Sequence, residues 1–167
     1  CIEGSFTTFS EGCYCESVPE SDFIDGNGIT NVTIGSISYV VSLDSYIDLT
    51  NEESAPLAQG ENSVNTITFE TGYAYNAHIW IDFNNNYVFE ESERVFSGES
   101  ASTTPSNLDA SFVVPATAQV GVHRMRIATA DSGAIPNACY NGYYGITIDL
   151  NVEVIDLLGS TDFDANK

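Results

Sequence analysis

His78-Ile-Trp-Ile-Asp-Phe-Asn-Asn-Asn-Tyr-Val-Phe-Glu-Glu-Ser-Glu-Arg-Val-Phe-Ser-Gly98 reads as strand, acidic loop, strand. Ile79, Trp80 and Ile81 before the loop, and Val95 and Phe96 after it, are β-formers. With Asp82 as loop position one, Asn84 and Asn86 fall at three and five, Val88 at seven, Glu90 at nine and Glu93 at twelve. That is the oxygen-ligand spacing of a calcium loop. Calcium is a hard cation that takes roughly six to eight oxygens, so the loop is expected to wrap Asp82, Asn84, Asn86, the Val88 carbonyl, Glu90 and a bidentate Glu93 around one centre. Phe89, at position eight, is expected to pack inward. Position six should be Gly to allow a sharp turn at positive φ, and here it is Tyr87. A plainer reading makes Asn84, Asn85 and Asn86 a polar hairpin turn with solvated glutamates. The fit of six positions to the ligand register favours an EF-hand-like calcium loop, set between strands rather than helices.

Working outward, the 167 residues suit one domain able to bury on the order of two-thirds of its unfolded surface. The basic residues Arg94, Arg124, Arg126 and Lys167 face 24 acidic ones, for a net charge of −20. Nucleic acid and anionic membrane surfaces would be repelled, because they need clustered Lys and Arg. Such acidity suits a secreted or cell-surface protein supplied with divalent cations. No run approaches the ~18 apolar residues of a membrane helix, so no membrane insertion is expected. No leader pattern opens the chain, and removal of a leader or cutting of a larger precursor is expected.

Cys1, Cys13, Cys15 and Cys139 are even in number, form no CxxC motif and have no neighbouring His to suggest zinc. Disulfides in an oxidising compartment follow. Cys13 and Cys15 are too close to bridge each other without strain, which leaves Cys1–Cys13 with Cys15–Cys139, or the swap. Lipidation at Cys1 would strand one of the other thiols.

Residues 1–28 read as a disulfide-tied loop region, with a Gly-rich turn at Asp22, Asp25 and Asn27. Over 29–156, β signals dominate. Strands are expected at 29–34, 37–43, 46–49, 64–70, 77–83, 94–97, 108–114, 121–130 and 144–155, with loops at 51–62 and 100–107. In the last strand Ile146, Ile148, Leu150, Val152 and Val154 alternate with Thr147, Asp149, Asn151 and Glu153. No segment keeps a helical period. Short strands with regular turn signals predict an all-β fold, an antiparallel β-sandwich of jelly-roll or Ig-like type. Residues 157–167 read as a linker tail.

Ile79-Trp-Ile-Asp-Phe-Asn-Asn-Asn86, Phe89-Glu-Glu-Ser-Glu-Arg-Val-Phe-Ser-Gly98, Ala110-Ser-Phe-Val-Val-Pro115 and His123-Arg-Met-Arg-Ile127, in this order, resemble the GEVED domain. The family's naming segment, Gly-Glu-Val-Glu-Asp, stands here as Gly145-Ile-Thr-Ile-Asp149, so only Gly145 and Asp149 remain. The resemblance implies a non-catalytic accessory module of secreted, multidomain proteins of Bacteroidetes-type bacteria, often placed just ahead of a type IX secretion sorting domain.

The chain has no Gly-x-Ser-x-Gly, no His-Glu-x-x-His and no phosphate loop. His78 and His123 fit packing positions on strands, so a hydrolase would need a constellation gathered from distant strands. The expected function is extracellular adhesion, or recognition of a surface glycan or protein, with Tyr140, Tyr143 and Tyr144 as candidate stacking residues. The alternative is a structural spacer or self-assembling subunit of an adhesin or filament, with neighbouring subunits as partners.

Overall fold

The computed structural model describes residues 12–20, 28–131 and 133–156. The expectations for Cys1, for the turn at Asp22, Asp25 and Asn27, and for the tail 157–167 lie outside them.

The strands are β1 (Ile29–Ile34), β2 (Ile37–Val40), β3 (Tyr46–Leu49), β4 (Ala55–Ala58), β5 (Asn62–Ser63), β6 (Asn65–Phe69), β7 (Tyr75–Ile81), β8 (Arg94–Glu99), β9 (Ser106–Asp109), β10 (Phe112–Val113), β11 (Gly121–Asp131) and β12 (Thr147–Ile155). A 3₁₀ turn, Glu91–Glu93, lies between β7 and β8. One sheet has the order β2-β1-β6-β9. The larger runs β3-β12-β11-β7-β8, with β4 also on β12, and β5 pairs with β10.

Side chains alternate across a strand, so each sheet turns one apolar row toward the other. Val32, Ile34, Ile67 and Phe69 of the smaller sheet share one core with Ile79, Ile81, Met125, Ile127, Ile148 and Leu150 of the larger. Each such side chain contributes about 1.5–3 kcal/mol when fully buried, and this face-to-face burial makes the two sheets a sandwich.

The sequence predicts a wholly antiparallel sandwich, and the structure corrects this, because β12 pairs in parallel with both β3 and β4. Both strands lie far upstream of β12, which supplies the long connection that parallel pairing needs. The expected loop 51–62 contains β4 despite Pro56: Ala55 and Leu57 are buried, while Pro56 sits on a sheet edge that asks for no N–H there. The single strand expected at 108–114 divides, β9 joining β6 and β10 joining β5.

The second face of the larger sheet is covered too. Trp80 and Ala128 pack there with Ala138 and Phe89. Thr147, Asp149 and Arg126 are buried on the same side. Residues 12–20 form a strap over this face beside the loop 133–145. The Cys15–Cys139 disulfide joins strap to loop. Ser17 Oγ lies 2.8 Å from Thr147 Oγ1, and the Tyr144 N–H donates to the Glu20 carbonyl at 2.6 Å.

Candidate metal-binding loop

The chain between β7 and β8 closes on itself through the six residues singled out by spacing. Asp82 is fully buried. Its Oδ1 accepts the Asn86 N–H at 3.1 Å and its Oδ2 the Tyr87 N–H at 2.9 Å. Asn84 Oδ1 accepts the same Asn86 N–H at 2.9 Å, and Asn86 Oδ1 accepts the Val88 N–H at 2.8 Å. These are Asx turns, in which a short side chain stands in for a backbone acceptor. From the far end, Glu93 Oε1 accepts the Phe83 N–H at 3.0 Å and Oε2 the Glu90 N–H at 3.2 Å. The side-chain amides of Asn84 and Asn86 both donate to Glu90, at 3.1 and 2.7 Å. Tyr87 takes a φ of 68° and Asn85 a φ of 53°. The sharp turn for which the spacing asks a glycine is thus made by Tyr87 itself, against the strain of a left-handed conformation.

Glu90 and Glu93 also cap each other, each carboxylate accepting the other residue's backbone N–H. Burial first, and then the hydrogen bond that Glu93 donates to the Glu90 carboxylate, push the Glu93 carboxyl up to about 7, while accepting that bond holds Glu90 below its ordinary value. Among the described residues, no three His, Cys, Asp or Glu side chains gather closely enough to hold a metal by themselves. An oxygen site here has to enlist the two Asn side chains and the Val88 carbonyl as well. Phe89 points inward, against Trp80, Ala128 and Ala138, with the Arg126 guanidinium 4.9 Å above its ring.

Beside the loop, Arg126 makes a two-point bond to Asp149, Nε to Oδ1 and Nη2 to Oδ2, both at 2.7 Å. Its Nη1 donates to the carbonyls of Cys15 and Ala138, each at 2.8 Å. The Tyr46 hydroxyl donates to Asp149 Oδ2 at 3.0 Å. Burial, followed by the Asp149 charge, pushes Tyr46 up to about 12. A cavity of about 730 Å³ adjoins this network, lined among others by Tyr14, Tyr46, Tyr87 and Arg124.

The sequence model of the GEVED domain family matches residues 76–153, which contain the loop, the Arg126–Asp149 pair and the covered sheet face. The chain carries a GEVED domain. In this GEVED domain the positions of the two glutamates of the naming motif are Ile146 and Ile148, both buried in the core. Asp149 points the other way, to Arg126. No curated protein matches the chain by sequence. Among solved structures, a CARDB domain from Pyrococcus furiosus, crystallised in complex with di-metal ions, aligns with 89% of this chain and all of its own length, at 10% identity and a TM-score of 0.37. That likeness is too distant to carry the complex over to the GEVED domain.

The histidines sit in packed positions. His123 is buried, with Nδ1 3.0 Å from the Asp82 carbonyl and Nε2 2.6 Å from the Gln119 carbonyl. His78 Nε2 lies 2.9 Å from Ser97 Oγ, a serine–histidine pair that the sequence did not single out because its members lie on neighbouring strands. His78 Nδ1 makes no hydrogen bond within ordinary geometry, although the Pro136 carbonyl is near enough to raise the pKa of the ring somewhat. Burial and Arg94 outweigh it and lower that pKa. Among the described residues, no carboxylate therefore orients the ring as a triad requires. Of the three tyrosines, Tyr140 is half-buried and donates its hydroxyl to the Tyr143 carbonyl at 3.0 Å. Tyr143 and Tyr144 are 69% and 50% exposed, with ring centroids 6.4 Å apart.

Proposed function

We propose that this chain is an extracellular, non-catalytic β-sandwich module for recognition at the cell surface, with a structural calcium ion in the loop Asp82 to Glu93. The observation that supports calcium is the convergence of the loop: the carboxylates of Asp82 and Glu93 enter it from opposite ends, and Asn84, Asn86 and Glu90 are linked between them. The donors are all hard oxygens, which fits calcium rather than a soft or imidazole-seeking metal. Asp82, Asn84, Asn86, Glu90, Glu93 and the Val88 carbonyl would hold the ion. It would supply positive charge against three carboxylates and fasten the end of β7 to the start of β8. Isothermal titration of chelator-stripped protein with calcium chloride is expected to give one site per chain, lost in Asp82→Asn and Glu93→Gln. No binding by the folded wild type at millimolar calcium would overturn the calcium reading.

The Cys15–Cys139 disulfide supports an oxidising, extracellular compartment. Among the described residues no helix is long and apolar enough to cross a membrane. For recognition, the adjacent exposed rings of Tyr143 and Tyr144 favour a partner with flat faces and hydroxyls, such as a glycan, over burial against a second subunit. On a glycan array with calcium present, Tyr143→Ala and Tyr144→Ala are expected to weaken binding without lowering the melting temperature. Ordered self-assembly that buries both rings would contradict this reading.

A further inference from the structure

We propose that Tyr14, held on the disulfide-tied strap, is the positioning residue that presents the Asp82 carboxylate to the metal; this rests on the calcium reading above. The Tyr14 hydroxyl donates to Asp82 Oδ2 at 2.8 Å across 68 residues of sequence. Oδ2 also takes the Tyr87 N–H at 2.9 Å, whereas Oδ1 takes the Asn86 N–H alone, at 3.1 Å. Two donors on one oxygen fix the rotation of the carboxyl group and leave Oδ1 as the oxygen with lone-pair capacity to spare for a cation.

The tyrosine is itself held on three sides. Its ring stacks on Phe89 at 4.7 Å and tilts against Tyr87 at 5.4 Å, while the Arg124 guanidinium lies 5.2 Å over it. Behind it, Cys15 is bonded to Cys139 and its carbonyl receives Arg126 Nη1 at 2.8 Å. The strap thus touches loop positions one, six and eight from outside the loop. An orienting partner of a metal ligand commonly carries one to two orders of magnitude in metal affinity.

The test compares calcium affinity and metal-free stability in the wild type and three variants. Tyr14→Phe keeps the ring and its stacking but removes the donor. It is expected to weaken calcium binding about tenfold, the loss of one hydrogen bond to a charged group, with the protein still folded in EDTA and its melting temperature there lowered by only a few degrees. Cys15→Ser/Cys139→Ser is expected to weaken binding to a similar degree, and combining it with Tyr14→Phe to add little, because both act through one contact. Unchanged affinity in Tyr14→Phe would overturn the proposal, as would additive losses in the combined variant. A wild type that binds no calcium would instead remove the reading on which the proposal rests, so the two failures are distinguishable.

Discussion

A Cβ on Gly145 would collide with the Thr129 carbonyl, which belongs to the backbone of β11 and cannot swing aside. Gly145→Ala is therefore expected to destabilise the fold by about 1–3 kcal/mol, seen as a lower urea midpoint at unchanged slope. Asp149 answers the only buried guanidinium among the described residues. Asp149→Asn keeps the shape and removes the charge, leaving Arg126 buried without its counter-ion, and is expected to be destabilising by about 3–5 kcal/mol. The two letters of the naming motif kept here are thus the two with a structural reason to stay. His78 gives a pH dependence. Burial, then Arg94, lowers its pKa from the ordinary 6.5, so the fold favours the neutral ring. Its contribution is present above 6.5, the unfolded value, and is lost as pH falls through the lower folded value. Urea midpoints at pH 7 and pH 5 are expected to differ less in His78→Gln than in the wild type.

At the scale of elements, β1 and β3 run over the residues that alternation and turn signals indicate, because short half-buried strands carry their period in their own sequence. Other features lack a local signal. Thr147, Asp149 and Asn151 alternate with core residues as a solvent-facing row would, and alternation does not distinguish water from a covering strap. The Tyr14–Asp82 bond and the Ser97–His78 pair join distant segments, so no spacing rule reports them. The loop 82–93 is the opposite case, since its closure is written in Asn and Glu at fixed offsets. The strap gives its own prediction. The Cys15–Cys139 bridge spans 124 residues, and in the chain-entropy model closing so long a loop contributes about 5 kcal/mol. Reduction is expected to lower the melting temperature by many degrees, and mass spectrometry of unreduced peptides should recover the Cys15–Cys139 pair.

Over the whole molecule, a net charge of −20 sets the compact state against its own repulsion. Asp82, Glu90 and Glu93 concentrate part of that charge in one loop between two strands of the larger sheet. A cation bound there only in the folded state stabilises it by mass action, by about 2.7 kcal/mol at a hundredfold excess over the dissociation constant. For a domain of this size that corresponds to roughly 5–10 °C in melting temperature. The most direct measurement is the melting temperature of the wild type and of Asp82→Asn, each in saturating calcium and in EDTA. The wild type is expected to melt higher by that margin in calcium, and Asp82→Asn at the same temperature in both. Equal melting of the wild type with and without calcium would contradict the account.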